Sequence, residues 1–169
     1  MPIVAKNDHV KGPQAPDGQH VAVCCDVQDL GELEITYGGE TKTQHKIVVW
    51  FQLGQTDDNG NRYLIGQRFT LSMHEKANLR KFLEAWRGKV YTEDQAREGV
   101  DVEKMIGVPA LIQTTTNDRE YANVTAVMRL PKDMPAIEVT NYTRAKDRDD
   151  ISMRVEQDES LDEDEALPF

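Results

Sequence analysis

Apolar and polar positions along this chain change their period from segment to segment, and each change predicts a different element. From Gly18, "HVAVCCDV" is rich in strand formers and "DLGELEITYGG" continues it. Gly31 sits where a bulge or sharp bend fits, which predicts one long bent strand or two short ones. "TKTQHKIVVWFQLGQ" (41–55) sorts by a two-residue period into Ile47, Val49, Phe51 and Leu53 on one face and Lys42, Gln44, Lys46, Val48 and Trp50 on the other. The first face reads as core; the second is basic and carries a Trp. "TDDNGNR" supplies a turn at Asn59-Gly60, and "YLIGQRFTL" (63–71) returns as the second arm of a hairpin.

The period then lengthens. Ser72 with Glu75 three residues later has the form of a capping box, and Leu79, Phe82, Leu83 and Trp86 recur at helical spacing until Gly88. A helix over about 74–87 is predicted, with Trp86 in the core. "TEDQAREGVDVEKMIG" (92–107) predicts one or two helical turns capped by Thr92 and Asp101 and stopped by Gly99 and Gly107. "VPALIQTTT" (108–116) and "YANVTAVMRL" (121–130) form a second hairpin. Three strands, a helical connection and two strands make a mainly β chain in the element order of an OB-fold, a five-stranded Greek-key barrel that commonly binds oligonucleotides or oligosaccharides. Other small β-barrels with an inserted helix share that order. Residues 18–131 read as this domain, residues 1–17 as a flexible arm with Pro2, Gly12, Pro13 and Pro16, residues 132–143 as a connecting segment, and residues 144–169 as a disordered acidic tail.

Charge sharpens the division. Of a net −10 over 169 residues, the segment from Asp147 onward accounts for −8, with ten acids against Arg148 and Arg154. The body is therefore close to neutral, and the global acidity says little about what it binds. There is no long apolar run and no basic-then-apolar leader, so the chain reads as cytoplasmic, in the host cytoplasm if phage-encoded, with no membrane partner. Cys24 and Cys25 are adjacent in a strand, point to opposite faces and read as reduced thiols, one of them buried. His9, His20, His45 and His74 share no metal-ligand spacing, so neither a metal nor a cofactor is expected.

Catalytic motifs are missing from the sequence: there is no Gly-x-Ser-x-Gly, no Gly-x-x-x-x-Gly-Lys-Ser/Thr and no His-Glu-x-x-His. The tail carboxylates lack a scaffold to hold reacting geometry, so an enzyme is not expected. The body instead offers cations for phosphates and flat rings for unstacked bases, the two needs of single-strand binding. Lys42, Lys46 and Trp50 share a strand face, and Arg68 joins them if the hairpin register permits. Arg62 and Tyr63 sit at the turn, Arg119 and Tyr121 precede the last strand, and Tyr121 and Arg129 share its alternation phase. An ordinary solvated hairpin face and a core Trp are the plainer alternative for the same residues.

The ending "DESLDEDEALPF" resembles the C-terminal tip of bacterial single-stranded-DNA-binding proteins, in which acids precede a hydrophobic residue, Pro and a terminal Phe. Asp162, Glu163, Asp164 and Glu165 match the acidic part, Leu167 the aliphatic position and Pro168 and Phe169 the end, with Ala166 interposed. "HEKANLRKFLEAWRGK" and "DVEKMIG" are similar to segments of phage replication-region OB-fold proteins. The resemblance implies single-stranded DNA as ligand, replication, recombination or repair proteins as partners of the tip, and a monomer or dimer rather than a tetramer. Such a tip places Leu167 and Phe169 in an apolar pocket with carboxylates on a basic rim, and can visit its own protein's DNA groove at an effective concentration of about millimolar. The competing expectation is an OB-like adaptor or DNA-mimic inhibitor that binds basic proteins through its tail and has no affinity for DNA.

Overall fold

A computed structural model of the chain describes residues 13–147. The acidic run and the tip residues from Asp162 to Phe169 lie outside the described residues, as do residues 1–12 of the expected arm. The elements are β1 (Gly18–Tyr37), β2 (Glu40–Thr56), β3 (Arg62–Thr70), α1 (Asn78–Arg87), α2 (Glu93–Glu98), a 3-10 turn at Val102–Met105, β4 (Pro109–Thr116), β5 (Ala122–Met128) and a last 3-10 turn at Ala145–Asp147. The protein is mainly β: five antiparallel strands in the order β3-β2-β1-β4-β5.

β1 is one long strand whose first residues pair with β4 and whose length from Ala22 to Tyr37 pairs with β2. Its ladder shifts at Cys24/Asp26 and again at Asp29/Gly31. Gly31 takes φ +73, which only glycine adopts without strain, and its N–H donates to the Asp29 carboxylate at 2.7 Å. The edge strands β3 and β5 touch, and α1 packs against both. Inside this curl lie Ile47, Val49, Phe51 and Leu53 of β2, Ile65 and Phe69 of β3, and Leu79, Leu83 and Trp86 of α1. The Phe51 and Trp86 rings are 5.2 Å apart and the Phe69 and Phe82 rings 4.8 Å, tilted as aromatic quadrupoles prefer.

Helix α1 begins four residues later than its sequence pattern predicts, and the Ser72/Glu75 capping box does not form. The Ser72 hydroxyl accepts from the His74 N–H and the His74 ring from the Lys76 N–H, so local side-chain bonds hold residues 72–77 in turns that compete with a helical turn. Thr92 does cap α2, in a reciprocal box with Gln95, and Asp101 caps the first 3-10 turn.

Two boundaries move. Ala15, expected in the arm, is buried in the core; Gln14 accepts from the Ala122 N–H at 2.9 Å, and the Pro16 carbonyl accepts from the Thr114 hydroxyl at 2.7 Å. Residues 14–17 therefore lie along β4 and β5. At the other end, residues 137–147 cross the outside of β1, β2 and β3 as a strap, so the first residues of the expected tail, 144–147, belong to the folded body. Cys24 and Cys25 are both buried, one on each side of the sheet, because the strap makes a second apolar layer outside it.

Candidate nucleic-acid interface

The register of β2 and β3 decides which side chains share the outer face. Lys46 is opposite Thr70, Val48 opposite Arg68, Trp50 opposite Gly66 and Gln52 opposite Leu64. Arg68 thus lies on the same face as Lys46 and Trp50. Farther along β2, Lys42 is opposite Ile35 of β1, and Arg62 stands at the other end of the ladder, opposite Thr56. One face of the β2–β3 pair carries Lys42, Lys46, Arg68, Trp50 and Arg62 in succession.

The middle of this face is covered, which corrects the expectation of a solvated basic surface with an open Trp. Lys46 is fully buried and Trp50 is 1% exposed. Lys46 Nζ donates to the Thr70 hydroxyl at 2.7 Å. The Trp50 ring lies across Gly66, where a Cβ would come within 2.9 Å of ring carbons, and its Nε1–H donates to Gln28 at 3.0 Å. Val139 and Tyr142 of the strap pack on Trp50, Val48 and Cys25. Neither face of the indole is open to a base in this arrangement.

The strap is held by polar anchors. Gln52 donates to the Thr140 carbonyl at 2.6 Å and accepts from the Thr140 N–H at 3.0 Å, as a neighbouring strand would. Arg62 donates to the Glu138 carbonyl. Asp26, 1% exposed, accepts from the Tyr142 hydroxyl at 3.0 Å, Arg144 Nε at 2.9 Å and the Ala145 N–H at 2.8 Å. Arg144 also pairs with Glu103 at 3.0 Å. A buried carboxylate is tolerated only when so surrounded by donors.

Beyond the strap, the far ends of β1 and β2 run on as a two-stranded ribbon whose two faces differ. Leu33, Ile35 and Tyr37 stand opposite Gln44, Lys42 and Glu40 on the outer side; Glu32, Glu34 and Thr36 stand opposite His45, Thr43 and Thr41 on the other. Tyr37 is 55% exposed, the largest exposure among the exposed large aromatic and aliphatic side chains of the described residues after Val90. Lys42 is exposed two residues along from Tyr37's partner, so the two residues are diagonal neighbours, a spacing that aromatic and long side chains can bridge. On the opposite face His45 bonds to Asp29 at 2.5 Å, and the Gly31 N–H together with His45 holds that carboxyl below its usual range.

The remaining predicted residues are elsewhere. Tyr63 packs against the main core, in phase with Ile65 and Phe69. Arg119 is exposed in the β4–β5 turn, where Asn117 accepts from the N–H groups of Arg119 and Tyr121 at 2.9 and 3.0 Å; Tyr121 is half-buried. Tyr121 and Arg129 do not share a face by alternation, because Thr125 is an extra residue in the β5 ladder and reverses the phase after it. Arg129 is exposed just past the end of β5.

Sequence reasoning passed over Tyr37 and Tyr142. The "ELEITY" alternation contained the first signal, since it separates Glu32 and Glu34 from Leu33, Ile35 and Tyr37. Tyr142 carried no local signal. Among the described residues no three His, Cys, Asp or Glu side chains are gathered as metal ligands, and no helix is long and apolar enough to cross a membrane. No protein-family model and no curated protein matches the chain.

Proposed function

We propose that this chain binds single-stranded DNA without sequence preference, on an OB-fold body, and serves phage replication, recombination or repair. The OB reading is supported by the topology: β1 is shared between the β2 and β4 ladders, β3 and β5 meet, and α1 lies between β3 and β4 in sequence. By the resemblance of residues 162–169, the acidic end recruits partner proteins and competes with DNA for the cationic face.

The observation that carries the DNA reading is the outer face of the β1–β2 ribbon, where exposed Tyr37 and Lys42 lie together while Glu32 and Glu34 project from the other side. Tyr37 offers a ring for a base and Lys42 a cation for a phosphate, with Glu40 the one acid of the ribbon on that face, and Arg68 and Arg62 lie farther along the same face. No enzyme activity is proposed. Fluorescence anisotropy of a labelled oligothymidine titrated with the full chain, and with a version ending at Asp147, tests the reading at several salt concentrations. Binding whose log-log salt slope is about −0.7 per phosphate contact, tighter in the shortened chain, supports a DNA site screened by the acidic segment. No binding by either form overturns it in favour of the adaptor.

A further inference from the structure

Where the strap passes the β2–β3 turn, a groove of about 470 Å³ opens between them. Gln52, Asn61, Arg62 and Leu64 line it from the hairpin, and Asn141 and Tyr142 from the strap. The chain has 30 acidic residues, yet no carboxylate is among the lining residues. Among the described residues its lining contains one guanidinium, two exposed amide side chains and one aromatic ring.

Arg62 and Tyr142 are each held in place by a bond that leaves part of the side chain for a ligand. Arg62 gives Nη1 to the Glu138 carbonyl, and a guanidinium has five N–H donors in a rigid fork suited to phosphate. The Tyr142 hydroxyl is fixed by buried Asp26 at 3.0 Å, so its ring is a preset surface with little rotamer freedom left to lose. Gln52 is committed to both polar groups of Thr140, which fixes the strap and with it the groove's width. Asn61 and Asn141 present amides, the groups that meet the polar edges of a splayed base.

We infer that this groove holds one nucleotide of a bound single strand, with a phosphate on Arg62, the base against Tyr142 and Leu64, and the amides of Asn61 and Asn141 at its polar edge. The inference rests on the single-strand reading above and deepens it: the strap is a wall of the binding site and stays in place when DNA binds. The groove begins about 33 Å along β2 from Lys42, ten residues at strand rise, so the strand has two separate footholds with the covered Trp50 between them.

Ultraviolet cross-linking of the full chain to oligothymidine, followed by tryptic peptide mapping, tests it. A cross-link in the peptide 133–144, which contains Tyr142, supports the groove. Binding with cross-links confined to the peptide containing Tyr37 overturns the groove and leaves the DNA reading standing; absence of any binding overturns both. Arg62→Gln adds a readout that a purely structural role does not move: the log-log salt slope is expected to shrink by about 0.7, and an unchanged slope contradicts the phosphate contact. Tyr142→Phe, which keeps the ring but gives up its tether to Asp26, is expected to lose less affinity than Tyr142→Leu, which loses about fivefold or more. Equal affinities for the two overturn the stacking role.

Discussion

Asp26→Asn removes the charge at the point where the strap is fastened while preserving the shape of the side chain. The carboxylate is 1% exposed and accepts from Tyr142, Arg144 and Ala145. Breaking a fully buried ion pair from one side costs about 3–5 kcal/mol. Arg144 is a quarter exposed and keeps Glu103, so water and that second carboxylate recover part of the loss. The amide can still accept from Tyr142 and Ala145 with its oxygen, but then turns a donor toward the Arg144 guanidinium. The expected net destabilisation is about 2 kcal/mol, in the middle of the range for leaving one buried group unsatisfied. With a urea m-value of about 1–3 kcal/mol/M, the midpoint falls by about 1 M. Trp fluorescence reads the transition, and amide exchange of residues 140–145 should accelerate in the variant because their anchor is weakened. A double-mutant cycle with Arg144→Ala should give a coupling of about 1 kcal/mol or more. An unchanged midpoint, unchanged exchange at 140–145 and zero coupling would together refute the role of Asp26 as the fastening point.

Gly66→Ala puts a Cβ within 2.9 Å of the Trp50 ring and of Val48, and should lower stability by about 1–3 kcal/mol in a thermal melt; a variant as stable as the parent would mean the ring does not lie across this glycine. Burial pushes the Cys24 thiol from its ordinary 9.0 up to about 12, so it should resist a thiol reagent at pH 8 in the native state and react after unfolding. The same shift sets a sign with pH: the unfolded chain releases this proton first, so the Cys24 contribution is complete below about pH 9.0 and declines as pH rises toward 12, at up to about 1.4 kcal/mol per unit; denaturant midpoints that fall no more steeply over that window in the parent than in Cys24→Ala contradict it. Tyr37→Ala should leave the melting temperature within a few degrees, since the ring is 55% exposed, while lowering affinity for oligothymidine by about 1–3 kcal/mol; unchanged affinity removes Tyr37 from the interface.

Where the sequence repeats a pattern, the fold can be read from it. The alternation of Ile47, Val49, Phe51 and Leu53 identifies the core side of β2, and the helical spacing of Leu79, Leu83 and Trp86 puts Trp86 in the core. Register placed Arg68 beside Lys46 and Trp50, a relation that alternation within a single strand only leaves open. The strap was invisible because Val139, Tyr142 and Arg144 follow no period; their burial depends on partners more than 80 residues away in β1 and β2. For that reason the middle of the outer face of β2 looked solvated in sequence and is covered in the structure. The Thr125 bulge likewise leaves no mark in local composition, although it reverses the side-chain phase between Tyr121 and Arg129. Tyr63 could have been placed correctly, since it alternates in phase with Ile65 and Phe69; its position beside a turn made it look like a surface residue.

The most direct test of the central claim is an amide chemical-shift titration of the isotopically labelled full chain with oligothymidine. Shifts concentrated at Tyr37, Lys42, Arg62, Arg68 and Tyr142, with α1 and α2 unmoved, are the predicted result. A shift pattern centred on the helices, or confined to the Arg119–Arg129 hairpin, would contradict the proposal that the outer face of β2 and its flanking strands receives the DNA.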